Sequence, residues 1–386
     1  MSNDFQRVAQ GSDRDFKGRS SLLRLLHIDP WLLLPLLVLC AAGLVVLYSA
    51  SGESDAMLSA QIRNLLITGA VLLVSAQFRV EFYRGVAPYI FLVTIALLIA
   101  VAFFGVGAKG AQRWLSLGVI RFQPSEIMKV AMPLALAWWL AKRPLPPSAK
   151  HLLIAFAMVF IPGLLILQQP DLGTSLLVMA SGVAVIYMAG LPWRFILAGA
   201  VAGIAAIVPV WQFVLQDYQK QRILTLFDPE SDRLGAGWNI IQSKTAIGSG
   251  GWSGLGWTEG SQAQLKFLPE GHTDFIIAVL AEEFGFLGVL GLFLLYAAIL
   301  LRGLRITWTA RSTFGRLLAG ALVITFFFGL VVNLGMVSGV LPVVGVPLPL
   351  VSYGGTAMLS VMVSFGILMA IASERSVTRT DQKEYL

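Results

Sequence analysis

An all-α polytopic integral membrane protein is the fold class this sequence predicts, with about ten transmembrane helices, both termini cytoplasmic and one large extracytoplasmic loop between helices 7 and 8. Three observations predict it. Hydrophobic residues make up 57% of the 386 and charged ones 13%, against roughly 25% charged in soluble domains, and the mean hydropathy is +0.78. The apolar residues fall into separate runs, most of them about 17–25 long, which a helix rising 1.5 Å per residue needs to cross about 30 Å of hydrocarbon. Lysine and arginine gather in every second link between runs.

In chain order the runs are 31–49, 65–78, 88–106, 124–141, 151–167, 172–191, 195–215, 275–301, 317–340 and 354–372. The second and fourth are short or interrupted, being bounded by charges or proline. An even number puts both termini on one side. Eighteen Lys and Arg residues lie on that side, four in the short links opposite, and five more in the long 216–274 segment; basic short loops stay in the cytoplasm, so the termini are cytoplasmic. The first thirty residues are polar and basic, so the first run reads as the anchor and no cleavable signal peptide is visible. Residues 31–372 read as one ten-helix domain between polar tails, 1–30 and 373–386. The net charge of +7 is mostly this cytoplasmic collar, which suits topology and attraction to anionic membrane lipids rather than nucleic acid. Cys40 stands alone, so neither a disulfide nor a cysteine metal site arises.

The 216–274 segment is long enough to be functional or disordered. Its Trp238, Trp252, Trp257, Leu265 and Phe267 argue for order at a membrane–water interface. Residues 219–228 predict a short amphipathic helix. Gly248, Gly250, Gly251, Gly254, Gly256 and Gly260 match neither nucleotide-loop spacing and predict tight turns against the membrane surface.

Chemistry-bearing residues cluster at the outer ends of the runs. Phe267-Leu-Pro-Glu-Gly-His272-Thr-Asp274 brings a proline turn, two carboxylates and a histidine to the mouth of the eighth span. Thr273 or Asp274 reads as a helix N-cap and Asp274 equally as a chemical group; the two are compatible. Glu126 and Lys129, at i and i+3, share a helix face, and neither can stay ionised and unpaired beside lipid, so both a salt bridge and a functional pair stand open. Beside Arg113-Trp114 they would make a cationic, aromatic-lined mouth. Asp171 reads as the cap of the sixth helix, and Arg222 as a solvated side chain or an anion ligand. Glu282 and Glu283 point about 100° apart, so at least one faces protein or a cavity. No HExxH, paired-histidine or cysteine spacing points to zinc.

Taken in order, Arg113-Trp114, Gln123-Pro-Ser-Glu126-Ile-Met-Lys129, Gln169-Pro-Asp171-Leu-Gly-Thr, Phe227-Asp-Pro, Ile241-Gln-Ser, Gly248-Ser-Gly-Gly, Leu268-Pro-Glu-Gly-His272-Thr-Asp274-Phe, Ala281-Glu-Glu283 and Pro349-Leu-Val-Ser-Tyr353-Gly-Gly resemble the bacterial SEDS (shape, elongation, division and sporulation) family. The resemblance runs from the first helix to the last. Leu341-Pro-Val-Val-Gly-Val-Pro-Leu-Pro349 and Trp238-Asn-Ile-Ile-Gln-Ser are closer to its elongation branch than to its division branch. Gly271 departs from it, standing where a larger or charged residue is common, and so does Trp238, where tyrosine is common.

The resemblance implies a peptidoglycan glycosyltransferase of the bacterial cytoplasmic (inner) membrane. Such an enzyme polymerises lipid II, the undecaprenyl-diphosphate disaccharide-pentapeptide, into β-1,4-linked strands on the extracytoplasmic face during cell elongation. Implied partners are a class B penicillin-binding protein as transpeptidase and other elongation-machinery proteins. The implied mechanism is inverting. Asp274 is the general base, and Arg113, Lys129 and Arg222 hold the diphosphate, with or without Mg²⁺ or Mn²⁺. Glu126 fixes Lys129, and Trp114, Asp171 and His272 complete the substrate mouth. An unperturbed aspartate, with a pKa of about 3.9, is a poor base, so partial burial should raise it. The rivals are a lipid II flippase, which needs polar groups through the midplane and two alternating halves, a division-type polymerase, and a noncatalytic scaffold, which leaves the charges at one mouth unexplained.

Overall fold

The computed structural model describes residues 27–108, 111–117, 120–232, 235–265 and 267–377; nearly all of both predicted tails lies outside the described residues. Helices occupy all ten predicted positions. Eight are long and apolar enough to cross a membrane: α1 (Pro30–Ala50), α2 (Asp55–Gln77), α3 (Val80–Phe104), α5 (Ala149–Gln168), α7 (Trp193–Pro209, prolonged by a π-helical turn Val210–Val214), α11 (Ile276–Thr309), α12 (Thr313–Val337) and α13 (Gly355–Val377). Two further helices complete the ten. In α4 (Pro124–Ala141) Glu126 and Lys129 lower the hydropathy, and α6 (Leu172–Met188) has 17 residues.

Local chemistry sets the ends. Asp29 caps α1, its Oδ1 accepting from the N–H groups of Trp31 at 3.0 Å and Leu32 at 3.3 Å, while Pro30 has no N–H to satisfy. Ser54 caps α2 by accepting from Met57 N–H, so this helix starts ten residues before the apolar run, on polar turns that the hydropathy of residues 65–78 does not show. Asp171 caps α6, as expected, by accepting from Thr174 N–H at 3.2 Å. The expected cap of the eighth span is corrected: Phe275 holds the N-cap position of α11, with no side-chain cap bond, because the chain before it turns on backbone bonds to Glu270 O from Thr273 N at 3.2 Å and Phe275 N at 3.1 Å.

A small sheet accompanies the helices of this all-α membrane fold. Between α3 and α4 lies a small antiparallel sheet, order β1-β2-β3, of Val106–Ala108, Ala111–Leu117 and Ile120–Phe122, pairing Val106 with Trp114 and Leu115 with Phe122. The 216–274 segment carries α8 (Asp217–Phe227), which is the predicted amphipathic helix, then α9 (Ala236–Ser249) and the short α10 (Ser261–Gln264).

Helices α4 and α12 form the centre, with α3, α5, α6 and α13 packed around α4; α1 lies along α11, and α2 along α13. Among the residues of α7 whose burial is described, none is buried. Arg302 of α11 clamps Asp29 with bonds of 3.0 and 2.6 Å to Oδ2 at one end of the α1–α11 pair, and Ser49 donates to Glu283 at the other.

Helix α11 is broken at Gly285, where φ is +61°. The glycine-rich segment repairs the break: Leu255 N and Gly256 N donate to the carbonyls of Glu282 and Glu283 at 3.0 and 3.1 Å, and Phe286 N and Leu287 N donate to Gly251 O and Trp252 O at 2.9 and 3.1 Å. Non-helical backbone at membrane depth persists only where protein satisfies it. The predicted tight turns are thus folded onto a transmembrane helix. A Cβ at Gly250 would meet Ala281 O at 1.9 Å, and one at Gly254, whose φ is +82°, would meet Glu283 O at 2.0 Å.

Candidate active site

The polar residues converge at the pole opposite the chain termini. On the first two turns of α4, Lys129 Nζ lies 2.7 Å from Glu126 Oε1, and Ser360 of α13 donates to Glu126 Oε2 at 2.9 Å. Both oxygens of the buried carboxylate are therefore engaged, and Lys129 is held to one place. One of its three N–H donors goes to Glu126, leaving two for an anion. The expected salt bridge exists. Lys129 is also the one charged side chain, among the described residues, lining a mostly apolar cavity walled by Phe326, Val346, Leu348, Ser352, Ser360 and Phe365.

The chain between α12 and α13 joins this cavity to Asp274. Gly345, at φ +74°, lies against the aspartate, so that a Cβ there would sit 3.4 Å from Asp274 Oδ2; its successors Val346 to Leu350 line the cavity. Asn333 of α12, fully buried, donates from Nδ2 to Asp274 O and to Val346 O, both at 2.7 Å. Ser352 accepts from Leu348 N at 2.8 Å and donates to Thr273 O. Tyr353 N donates to His272 O at 3.0 Å, and the His272 and Tyr353 rings lie 6.3 Å apart. Asp274, half-buried, thus has its backbone fixed from two elements while its carboxylate faces the Gly345 turn.

A third group braces the mouth. Arg113 of β2 donates to Gln169 O at 3.2 Å and to Pro170 O, and its guanidinium stands 3.9 Å from Asp171 Oδ1. Gln123 donates to Asp171 Oδ2 at 2.8 Å. Arg113 therefore ties the sheet to the α5–α6 turn, a bracing task that already uses much of its donor fork. Gly173, one turn on, lets the next layer approach: a Cβ there would fall 2.7 Å from Val346 Cγ2 and 2.9 Å from Val344 O. From Arg113 through α6 to the Gly345 turn and Asp274 the contacts are continuous. Trp114, half-buried, pairs with Val106 in the sheet. Arg222 rides on α8, which packs on the Pro229–Asp232 turn and α9.

Glu126, Lys129, Asp171, Arg113, His272 and Asp274 are all brought to one pole, around one framework. Asn333, Ser352, Ser360 and Gly345 belong to it too and were not singled out from the sequence; a lone asparagine in the run Gly329-Leu-Val-Val-Asn333-Leu was the available signal, since polar groups inside spans carry function or hydrogen bonds. Glu282 is held away from this framework by Ser261 Oγ at 3.1 Å and Gln262 N at 3.0 Å. Among the described residues no three His, Cys, Asp or Glu side chains converge as metal ligands.

Residues 25–377 match the family model for the FtsW, RodA and SpoVE cell cycle proteins. The chain is 52% identical over 352 residues to the peptidoglycan glycosyltransferase MrdB of Escherichia coli K12, covering 91% of this chain and 95% of that one. It is 30% identical over 419 residues to the peptidoglycan glycosyltransferase RodA of Treponema pallidum, covering 89% and 97%. Among solved structures, a chain from work on the coordination of polymerization and crosslinking by a peptidoglycan synthase complex superposes with a TM-score of 0.79 at 31% identity, covering 90% and 98%. The rod shape determining protein RodA of Thermus thermophilus superposes at 0.69 with 28% identity, covering 90% and 97%. With the ten-helix bundle, the polar mouth and these likenesses in agreement, the chain belongs to the FtsW/RodA/SpoVE family of polytopic membrane proteins.

Proposed function

We propose that the protein is a peptidoglycan glycosyltransferase that polymerises lipid II at the outer face of the bacterial cytoplasmic membrane. The observation that carries this reading is the Gly345 turn, which joins a fixed carboxylate, Asp274, to a largely apolar cavity holding one oriented cation, Lys129. A donor dissolved in the membrane by its polyprenyl chain needs lateral access, a cation where its diphosphate leaves and a base where the acceptor hydroxyl arrives.

In the reaction so read, Asp274 takes the proton of the C4 hydroxyl of the incoming GlcNAc. That oxygen attacks the anomeric carbon of the strand's terminal MurNAc, the bond from this carbon to the diphosphate oxygen breaks, and the configuration inverts from α to β. Charge grows on the departing undecaprenyl diphosphate, where a prepositioned cation is most effective; Lys129, steadied by Glu126 and Ser360, meets it. Arg113 acts mainly by holding the mouth in shape. A divalent ion brought in with the diphosphate would add to Lys129's neutralisation of the charge that builds on the leaving group. The likeness to a chain of a peptidoglycan synthase complex supports a crosslinking class B penicillin-binding protein as partner.

The test is lipid II polymerisation by the purified protein, alone and with its class B partner, beside Asp274→Ala. Loss of a general base costs about 10²–10⁴ in rate, so the folded variant should yield no strands on the wild-type timescale. Full activity in Asp274→Ala would remove it as the base. No strands from wild type, with lipid II crossing proteoliposomes instead, would replace the reading by a flippase.

A further inference from the structure

We propose a binding site for an anionic phospholipid headgroup at the pole of the chain termini, between the α4–α5 and α6–α7 links. It has no part in the chemistry above.

The last turn of α4 carries two aromatic–cation pairs at i, i+4. Lys142 Nζ lies 4.1 Å from the centre of the Trp138 ring, and Arg143 Cζ lies 3.4 Å from that of Trp139. Trp139 is fixed in turn: its Nε1 donates to His151 O at 3.4 Å, and Arg143 donates back to Trp139 O. The guanidinium is therefore held over an indole before any ligand arrives. The neighbouring link touches this one, Gly190 standing where a Cβ would be 3.4 Å from Pro146 Cβ. It brings exposed Trp193 and Arg194, and the α4–α5 link adds exposed Lys150.

What makes this cluster different from an ordinary basic collar is its lack of counter-charge. Between Ile127 and Gln216 the sequence contains one carboxylate, Asp171, and that one caps α6 at the opposite pole. Elsewhere at this pole two arginines meet acids: Arg302 pairs with Asp29, and Arg311 lies close enough to Glu374 to act on its charge. Four cations at the membrane surface with no acid partner among the described residues, two of them over tryptophans that favour the headgroup layer, complement a lipid phosphodiester, which an arginine fork grips through two N–H donors. Exposed Leu153 of α5 and Leu197 of α7 offer apolar surface for acyl chains one turn deeper.

Native mass spectrometry of the full chain, released from detergent after incubation with phosphatidylglycerol or phosphatidylcholine, tests this. The wild type should keep phosphatidylglycerol preferentially, and Lys142→Gln with Arg143→Gln should keep it at least tenfold less. Lys150→Gln with Arg194→Gln should show the same direction of loss without disturbing Trp138 or Trp139, guarding against a folding defect in the first pair. Arg84→Gln with Arg305→Gln removes equal charge from exposed positions at the same pole and should leave retention unchanged. Equal loss in all three variants, or no preference between the two lipids, would overturn the proposal and leave only diffuse attraction. Displacement of the bound lipid by millimolar inorganic phosphate, at equal ionic strength of chloride, would assign the site to free phosphate and overturn it as a lipid site.

Discussion

Replacing Asn333 by leucine removes a side chain of similar size whose Nδ2 serves two carbonyls at once, those of Asp274 and Val346, each at 2.7 Å. Each carbonyl left buried without a donor costs about 1–3 kcal/mol. Against that, Asn333 Oδ1 is itself buried without a partner, so its removal returns roughly one such term, and the net loss is about 1–3 kcal/mol. The effect on turnover should exceed the effect on stability. With the tie gone, the bonds from Asn333 to the Asp274 carbonyl and to Val346 are both lost, and a misplacement of about 1 Å at a reacting group costs on the order of 10² in rate. Thermal melting in detergent and initial rates of lipid II polymerisation, normalised to folded protein, measure the two. Ser338→Ala, exposed and bonded only to its own helix, is the control. A variant that melts lower yet turns over normally per folded molecule would refute the positioning argument, and one unchanged in both would refute the bond inventory itself.

Other outcomes follow from the same geometry. Gly254→Ala and Gly250→Ala should fail to give folded protein, because the new methyl would stand 2.0 Å or less from a carbonyl of α11, whereas Gly248→Ala, with open space, should stay within about 0.5 kcal/mol of wild type; detergent gel filtration and melting separate them. Asp29→Asn should cost about 1–3 kcal/mol, less than a fully buried ion pair because Arg302 is a quarter exposed, and adding Arg302→Gln should recover part of the loss in a double-mutant melting cycle. Lys129→Gln keeps a hydrogen bond to Glu126 but no charge, so polymerisation should fall by at least about tenfold while the melting point changes little. Gly345→Ala places a methyl at φ +74° beside Asp274 at a strain of about 1–2 kcal/mol, and should lower turnover more than it lowers the melting point.

The bundle was legible because hydrocarbon imposes one rule, a run of apolar residues per crossing, and the ten runs show it. What composition cannot show is where polar residues extend a helix, as at Asp55–Gln77, or where a helix stops being one. Gly285 sits in a run, Glu282-Glu-Phe-Gly-Phe-Leu, that reads as continuous, since an isolated glycine is tolerated in a helix; only the partner segment thirty residues upstream reveals the break. The sheet escaped because its two outer strands have three residues each, too short an alternation to register. For the site, Asp274, Lys129 and Glu126 stood out as charges at span ends. Asn333 and Ser352 did not, because their task is to hold backbone, and backbone bonds leave no mark in a one-dimensional pattern. Arg113 stood out too, but its bonds to the carbonyls of Gln169 and Pro170 are announced by no motif.

The repaired break in α11 also constrains how the chain can be assembled. Its 34 residues would span about 51 Å as a straight helix, yet four of its backbone groups find partners only on a segment synthesised earlier. That segment is in turn seated on the first helix, through Trp257 Nε1 donating to Val45 O at 3.1 Å. The first and eighth crossings therefore mature together, with residues 250–260 between them as the third member. Until the eighth enters the bilayer, the half of the first that carries Ser49 lacks the carboxylate of Glu283 that this serine meets in the final fold. A gene split anywhere from 261 to 275 would turn this intramolecular closure into an encounter between fragments, and the fold would become dependent on their concentration.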